Sequence, residues 1–320
     1  MQQFILKRIL IAIPVLIGVT MLSFLFVSLA PGDPVTAMIS PADRATLGPE
    51  WVAERKHQLG LDKPVMVRYG IWLGQVARGN LGYSLIGGQS VALQVKQRLG
   101  PTALLMGSAL LLAICLGIPL GIVSAVRQYS LIDYVATIFG FLTISTPSFF
   151  LGLGLMYIFA VRMGVLPTSG MRTLGVPHSM GDLLKHMVLP VTVLALVQTP
   201  LIMRFARATM LETMRQDFVT TARAKGLRER AVLVRHAFRN ALIPLITILG
   251  ISLAELFSGA VITETIFQWP GMGLLIIRAV NSRDYPLILG TIMVTATLVL
   301  LSNLLADILY GIADPRIRYR

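Results

Sequence analysis

Residues 218–244, FVTTARAKGLRERAVLVRHAFRNALIP, form a basic, polar stretch inside an otherwise apolar chain. Residues 218–225 read as a short helix that stops at Gly226, because a glycine just past a helix end takes the left-handed turn without a Cβ penalty. Beyond it, Leu227, Ala231, Val234, Phe238 and Ala241 recur at helical spacing on one face, and Arg228, Arg235 and Arg239 fall on the other. That is the pattern of an amphipathic helix. Pro244 then stands just inside the next apolar run. The prediction is helix, glycine turn, helix, membrane. The plainer reading is a loop kept for its charge, but such a loop has no need of two helices at a defined angle.

The surroundings identify what this segment interrupts. Of 320 residues, 55% are hydrophobic and 13% charged, with a mean hydropathy of +0.75. A soluble domain lies nearer ~45–50% and ~25%. Six stretches, 9–30, 103–126, 135–161, 187–205, 242–267 and 287–309, are long and apolar enough to cross a membrane, which takes about 20 helical residues. The first follows Lys7 and Arg8, and Ser28-Leu29-Ala30 resembles a leader cleavage site. Its apolar core is too long for a leader and Pro31 follows the cut, so it reads as an uncleaved anchor helix.

Six spans place both termini on one side. Lys7, Arg8, Arg127, nine basic residues between positions 204 and 239, and Arg316, Arg318 and Arg320 would share that side. The long first outer loop carries positive charge too, but long loops are translocated largely regardless of charge. Among short loops the bias marks the cytoplasmic face. The expected class is therefore an all-α integral membrane protein with cytoplasmic N- and C-termini. The net charge of +13 is accounted for by these loops. Nucleic acid is excluded as a partner, because no separate basic domain exists to carry it; membrane lipid is the expected surrounding.

No internal repeat or low-complexity segment occurs. The first outer loop holds Pro31-Gly32-Asp33-Pro34, a turn signal. An amphipathic stretch over 50–59 and Gly60-Leu61-Asp62-Lys63-Pro64 follow. This loop is expected to pack on the outer face of the bundle.

At Thr221-Ala222-Arg223-Ala224-Lys225-Gly226-Leu227, with His236 and Arg239-Asn240-Ala241-Leu242-Ile243-Pro244, the chain resembles the cytoplasmic coupling loop of ABC importer permeases. More narrowly, it resembles the dipeptide, oligopeptide and nickel permease family. Gly79-Asn80-Leu81-Gly82, Glu264-Thr265-Ile266-Phe267 with Trp269-Pro270-Gly271, Arg283-Asp284-Tyr285-Pro286 and Asp314-Pro315-Arg316 agree with that family in order along nearly the whole chain. The broader pattern begins Glu-Ala-Ala where this chain has Thr221-Ala222-Arg223, a departure shared by the peptide branch.

The resemblance implies a type I ABC importer permease fold in a bacterial inner membrane. It implies an anchor helix and extracytoplasmic segment over 1–94, a permease core over 95–310 with its coupling loop at about 207–241, and a cytoplasmic tail over 311–320. It also implies partners: a second, homologous permease subunit, two ATPase subunits that hold ATP and magnesium, and an extracytoplasmic substrate-binding protein. The coupling helix would sit in a groove on an ATPase. Ala222 and Ala224 would allow close docking, Arg223 and Lys225 would pair with acidic residues there, and Gly226 would set the angle between helices.

What the chain lacks agrees. It has no Gly-x-x-x-x-Gly-Lys-Ser/Thr phosphate loop, no His-Glu-x-x-His and no Gly-x-Ser-x-Gly. No catalytic residue, metal site or cofactor is expected in it. His178 and His186 share an outer loop and read as surface groups; Cys115 reads as a small buried or lipid-facing side chain. Glu255 falls near the middle of the fifth stretch. A charge at the bilayer centre costs roughly 2.5–3.5 kcal/mol, so Glu255 should face either the substrate pathway or a second permease subunit. Glu264 reads as structural, bonded to a helix end. Pro147, Pro190 and Pro200 are expected to bend their helices in the ordinary way. Peptides are the expected cargo, with nickel or glutathione as alternatives. A secondary transporter would need coupling-ion groups and usually an inverted repeat, and a membrane scaffold is the remaining alternative.

Overall fold

A computed structural model of the chain describes residues 2–30, 35, 41–58, 60–177, 179–242, 244–246, 252 and 260–313. Every helix or strand element among them is helical, apart from one isolated bridge between Tyr83 and Ser90. The helices are α1 (Gln2–Leu29), α2 (Pro41–Gln58), α3 (Val65–Ala77), α4 (Val91–Val126), α5 (Leu131–Ser145) and α6 (Ser148–Leu155), which runs on as a π-helical stretch, Met156–Arg162. Then come α7 (Met180–Met214), α8 (Asp217–Ala224), α9 (Glu229–Ala231), which continues as a π-helical stretch, Val232–Phe238, α10 (Val261–Ile266), α11 (Met272–Asn281) and α12 (Tyr285–Ala313).

Four of these are long and apolar enough to span a membrane: Ile5–Leu29, Val91–Val126, Met180–Met214 and Tyr285–Ile308. Each covers all but at most one residue of one predicted stretch, and α4 and α7 extend well beyond theirs. The third stretch differs from its prediction. It is two helices, α5 and α6, bent by 101° at Thr146–Pro147. Ordinary bending was the expectation; a break is the result. Thr146 is forced out of the helical region, to φ −94 and ψ 121, because the ring of the following proline clashes with a helical residue before it. Its hydroxyl and its N–H both bond to the Leu142 carbonyl, so the stop is hydrogen-bonded. Most of the fifth stretch, with Glu255, lies outside the described residues, as do Pro31-Gly32-Asp33-Pro34, His178 and the tail with Arg316, Arg318 and Arg320.

The central contact is between α4 and α7. Gly117 and Gly121 lie four residues apart on α4, against Ile202, Met203 and Ala206 of α7. A Cβ at Gly121 would stand 2.5 Å from the Met203 carbonyl oxygen and 2.6 Å from Ala206 Cβ. In lipid, helices associate through such small residues because close backbone packing replaces the missing hydrophobic drive. Around this pair, α1 lies along α12, with Arg8 Nε 3.1 Å from Asp307 Oδ2.

At the Val91 end of α4, the quoted motifs meet in space. Asp284, 1% exposed, accepts from the Ser84 hydroxyl and from the N–H groups of Leu85 (3.2 Å) and Leu287 (3.3 Å). Asn80 Oδ1 accepts from Gly82 N–H at 2.9 Å, closing the turn that delivers Ser84. Glu264, fully buried, accepts from the Thr102 hydroxyl (2.8 Å) and from Leu274 N–H (3.0 Å) at the start of α11. Trp269 Nε1 donates to the Pro101 carbonyl at 2.9 Å. Glu264 is therefore bonded to a helix end, as expected.

The outer loop holds more helix than the sequence pattern predicts. α2 begins at Pro41 rather than about position 50, with a kink at Gly48. The whole of α3 was not anticipated. His186 is not a surface group: it is 7% exposed on α7, and Nδ1 lies 2.9 Å from the Asp182 carbonyl oxygen. Its place one turn into a capped helix turns it toward the bundle. Cys115 is exposed on α4 rather than buried.

Candidate functional site

The segment after α7 folds as a short helix, a turn and a second helix, as its spacing predicts. α7 ends at Met214, and Arg215–Gln216 turn the chain into α8. α8 ends in a Schellman turn: Gly226 N–H bonds to the Arg223 carbonyl at 2.9 Å and Leu227 N–H to the Ala222 carbonyl at 3.4 Å. Gly226 sits at φ 75, where an L side chain is strained, although the space around it is open. Its requirement is conformational rather than steric.

The back of this unit is apolar. Val219 and Ala222 of α8 join Val232, Ala237 and Ala241 in one buried cluster with Ala125 at the end of α4 and Met210 on α7. The short helix packs on the π-helical stretch Val232–Phe238 and shares its buried cluster with the ends of both central helices.

The second helix differs from prediction in register. The expected apolar face included Leu227 and Val234, but these are 43% and 58% exposed. The buried residues are Val232, Ala237 and Ala241. Between Val232 and Phe238 the backbone is π-helical, so positions five apart share a face, and a period of 3.6 misplaces them.

The predicted contact residues divide accordingly. Ala222 is 5% exposed and packs inward, so it does not present a docking surface. Thr221, Ala224, Lys225, Gly226 and Leu227 are exposed. Arg223 is exposed but engaged: Nε and Nη2 bond to the two carboxylate oxygens of Glu229 at 3.2 and 2.7 Å, clamping the turn across Gly226. That pairing holds the Glu229 carboxyl below the usual carboxylate range and raises the Arg223 guanidinium. Asn240 Nδ2 donates to the His236 carbonyl at 2.7 Å, Arg239 is exposed, and His236 is half-buried.

One pair of residues was not singled out from the sequence. Asp133, 4% exposed at the start of α5, receives Arg207 Nε at 2.9 Å and Nη2 at 2.8 Å. It also accepts from Tyr129 N–H at 3.0 Å. This bidentate pair ties the α4–α5 turn to α7 just above the apolar cluster. The signal available was Asp133, an acidic residue in an apolar run; its partner, 74 positions on, was counted only as loop charge. The Gly117-x-x-x-Gly121 spacing was also present and unread.

The sequence matches two family models that together cover nearly the whole chain. Residues 117–319 match the binding-protein-dependent transport system inner membrane component, and residues 1–105 match the N-terminal part of the same kind of membrane component. The chain belongs to this family. It is a multi-pass inner-membrane transport component, not a catalytic enzyme. A protein of Brucella suis provisionally named a peptide permease is 44% identical, over 99% of both chains. The oligopeptide transport system permease protein AppB of Bacillus subtilis is 41% identical, and the dipeptide transport system permease protein DppB of Escherichia coli is 37% identical, each over the whole of both chains. Among solved structures, an inward-facing MetNI methionine ABC transporter chain aligns with TM-score 0.56 at 15% identity, covering 70% of this chain and 97% of that one. The last likeness concerns the fold: a bundle of the ABC importer permease type.

Proposed function

We propose that the chain is one permease subunit of an ATP-driven importer of dipeptides or oligopeptides. In this reading it has six spans and cytoplasmic termini and forms half of the pathway with a second, homologous permease. Two ATPase subunits supply ATP-magnesium chemistry, and an extracytoplasmic binding protein delivers the cargo. The observation that carries the reading is the α8 unit. Its apolar back shares a buried cluster with the ends of α4 and α7, while Thr221, Ala224, Lys225 and Leu227 are presented outward. Such an element suits a groove on a partner subunit, where closure of the partners would tilt both helices. The peptide cargo is supported by relatives named for peptide transport over the full chain. Glu255 is assigned to the pathway or to the contact with the second permease.

Reconstitution tests this. Uptake of a labelled dipeptide into proteoliposomes should require the second permease, the ATPases, ATP and the binding protein together. Uptake by this chain alone would sink the reading, and uptake of nickel or glutathione without peptide would replace the cargo.

A further inference from the structure

The end of the bundle opposite α8 carries a cavity that the transport reading leaves unused. It measures about 420 Å³ and lies between α3, α1 and the start of α12, with Phe24, Lys63, Arg68, Trp72, Gln75 and Tyr285 in its wall. None of its lining residues is acidic. Among the described residues, neither Lys63 nor Arg68 has a carboxylate at ion-pair distance. Asp62 is the nearest candidate in sequence, but it is taken by His57, whose Nδ1 lies 2.7 Å from Asp62 Oδ2. Trp72 Nε1 is buried and has no acceptor among the described residues.

The depth of α3 makes this arrangement informative. Tyr69 OH donates to the Ile17 carbonyl at 3.2 Å and lies 3.0 Å from Thr20 Oγ1. Phe24 packs against Tyr69 and Trp72 with ring centroids 5.5 and 6.0 Å apart, and Arg68 lies over the Phe24 ring at 5.7 Å. Thr20 and Phe24 belong to the apolar stretch of α1, so α3 is held within the depth of the membrane rather than above it. Its outward face agrees: Met66, Val67, Gly70, Ile71 and Gly74 are all exposed and none is charged. An amphipathic helix with this distribution lies in a bilayer interface with its apolar face among acyl chains.

A cation at that depth requires a counter-charge, because burial without one is expensive. Among the described residues, none stands at ion-pair distance from Arg68, and Asp62, next to Lys63, is engaged by His57. The protein does supply a second donor, the Trp72 N–H, on the same cavity. We infer that this cavity binds the headgroup phosphate of a phospholipid, received by Arg68, Lys63 and Trp72 Nε1, with the lipid chains running along the outward face of α3. The occupant is a lipid rather than free phosphate because an uncharged, apolar helix face continues from the cavity at membrane depth. The site is independent of which cargo the importer carries.

The test uses the full chain, delipidated in detergent, with thermal unfolding followed against added dioleoylphosphatidylglycerol. Saturable stabilisation is expected for the unaltered chain, and none from dioleoylglycerol, which has the same chains and no phosphate, or from inorganic phosphate. Arg68→Gln with Lys63→Gln should weaken half-saturation by roughly tenfold or more, and Trp72→Phe, which keeps the ring and removes the donor, by less. Arg68→Lys should restore most of the response. If the double variant does not fold, Arg68→Gln alone and Trp72→Phe read the same titration. Equal stabilisation by dioleoylglycerol, a response to inorganic phosphate alone, or unchanged half-saturation in the folded variants would overturn the assignment.

Discussion

At the end of the α4–α7 pair nearest α8, Asp133 is held by the guanidinium of Arg207; at the far end, Glu264 and Asp284 are held by hydroxyls and backbone N–H groups alone. The first is a charge-assisted pair with one partner still 30% exposed in its side chain, so water reaches it. The second is dry: both carboxylates are at most 1% exposed. The far end is therefore closed to water, and the end nearest α8 is partly open to it.

The comparison is broken most severely at its dry end. Glu264→Ala strands the Thr102 hydroxyl and Leu274 N–H and leaves a void; at about 1–3 kcal/mol for each buried unsatisfied group, the expected loss is roughly 3 kcal/mol or more. Little folded protein should be recovered, as read by size-exclusion chromatography in detergent. Asp133→Ala should cost less, about 2–3 kcal/mol. Breaking a buried pair costs about 3–5 kcal/mol, and the partial exposure of Arg207 reduces that. Thermal unfolding of the two variants side by side checks the order; an Asp133 variant that falls further than the Glu264 variant contradicts the division into dry and wet ends.

Gly226→Ala sharpens the comparison at the surface. The space is open, so the penalty is the left-handed backbone alone, roughly 1–2 kcal/mol, confined to the turn. Insertion should be normal, while ATP hydrolysis and transport measured in reconstituted complexes should lose their fixed ratio. A normal ratio removes Gly226 from the coupling role. The smallest effect belongs to Arg223–Glu229. The Glu229 carboxyl is held low by its partner, so the stabilisation is present above the ordinary carboxylate value, about 4.3, and fades as pH falls through the lowered one. An exposed pair of this kind contributes under about 1 kcal/mol and is screened by salt. Hydrogen exchange across 217–231, corrected for intrinsic rate, should rise modestly at low pH and at high salt, and Glu229→Gln should abolish both dependences.

Much of this architecture is legible from residue order, and the reasons for the failures are specific. Helix ends at Gly226 and caps at Ser130 and Ser179 are local events, fixed by neighbours within five positions. The inward turn of Ala222 is not local: its surroundings come from α4, α7 and the π-helical stretch beyond α9. The register of that stretch escaped the 3.6-residue count because one backbone bond pattern changed. The break at Pro147 was visible as a proline in an apolar run, but its 101° angle depends on what packs on either side. α3 was missed because a 13-residue helix with glycines at 70 and 74 is too short to stand out as a span.

The order of residues by itself determined that this chain lives in a membrane, where the apolar centres of four of its spans lie, and where one basic helix turns on a glycine. These depend on hydropathy and on hydrogen bonds closed within a few residues. Only the tertiary structure decided which carboxylate meets which donor across 162 positions, as Thr102 meets Glu264, or 200, as Ser84 meets Asp284. Such pairs have no period along the chain. They exist because helix packing brings distant residues within hydrogen-bond reach, and in a dry interior an unpaired polar group is costly.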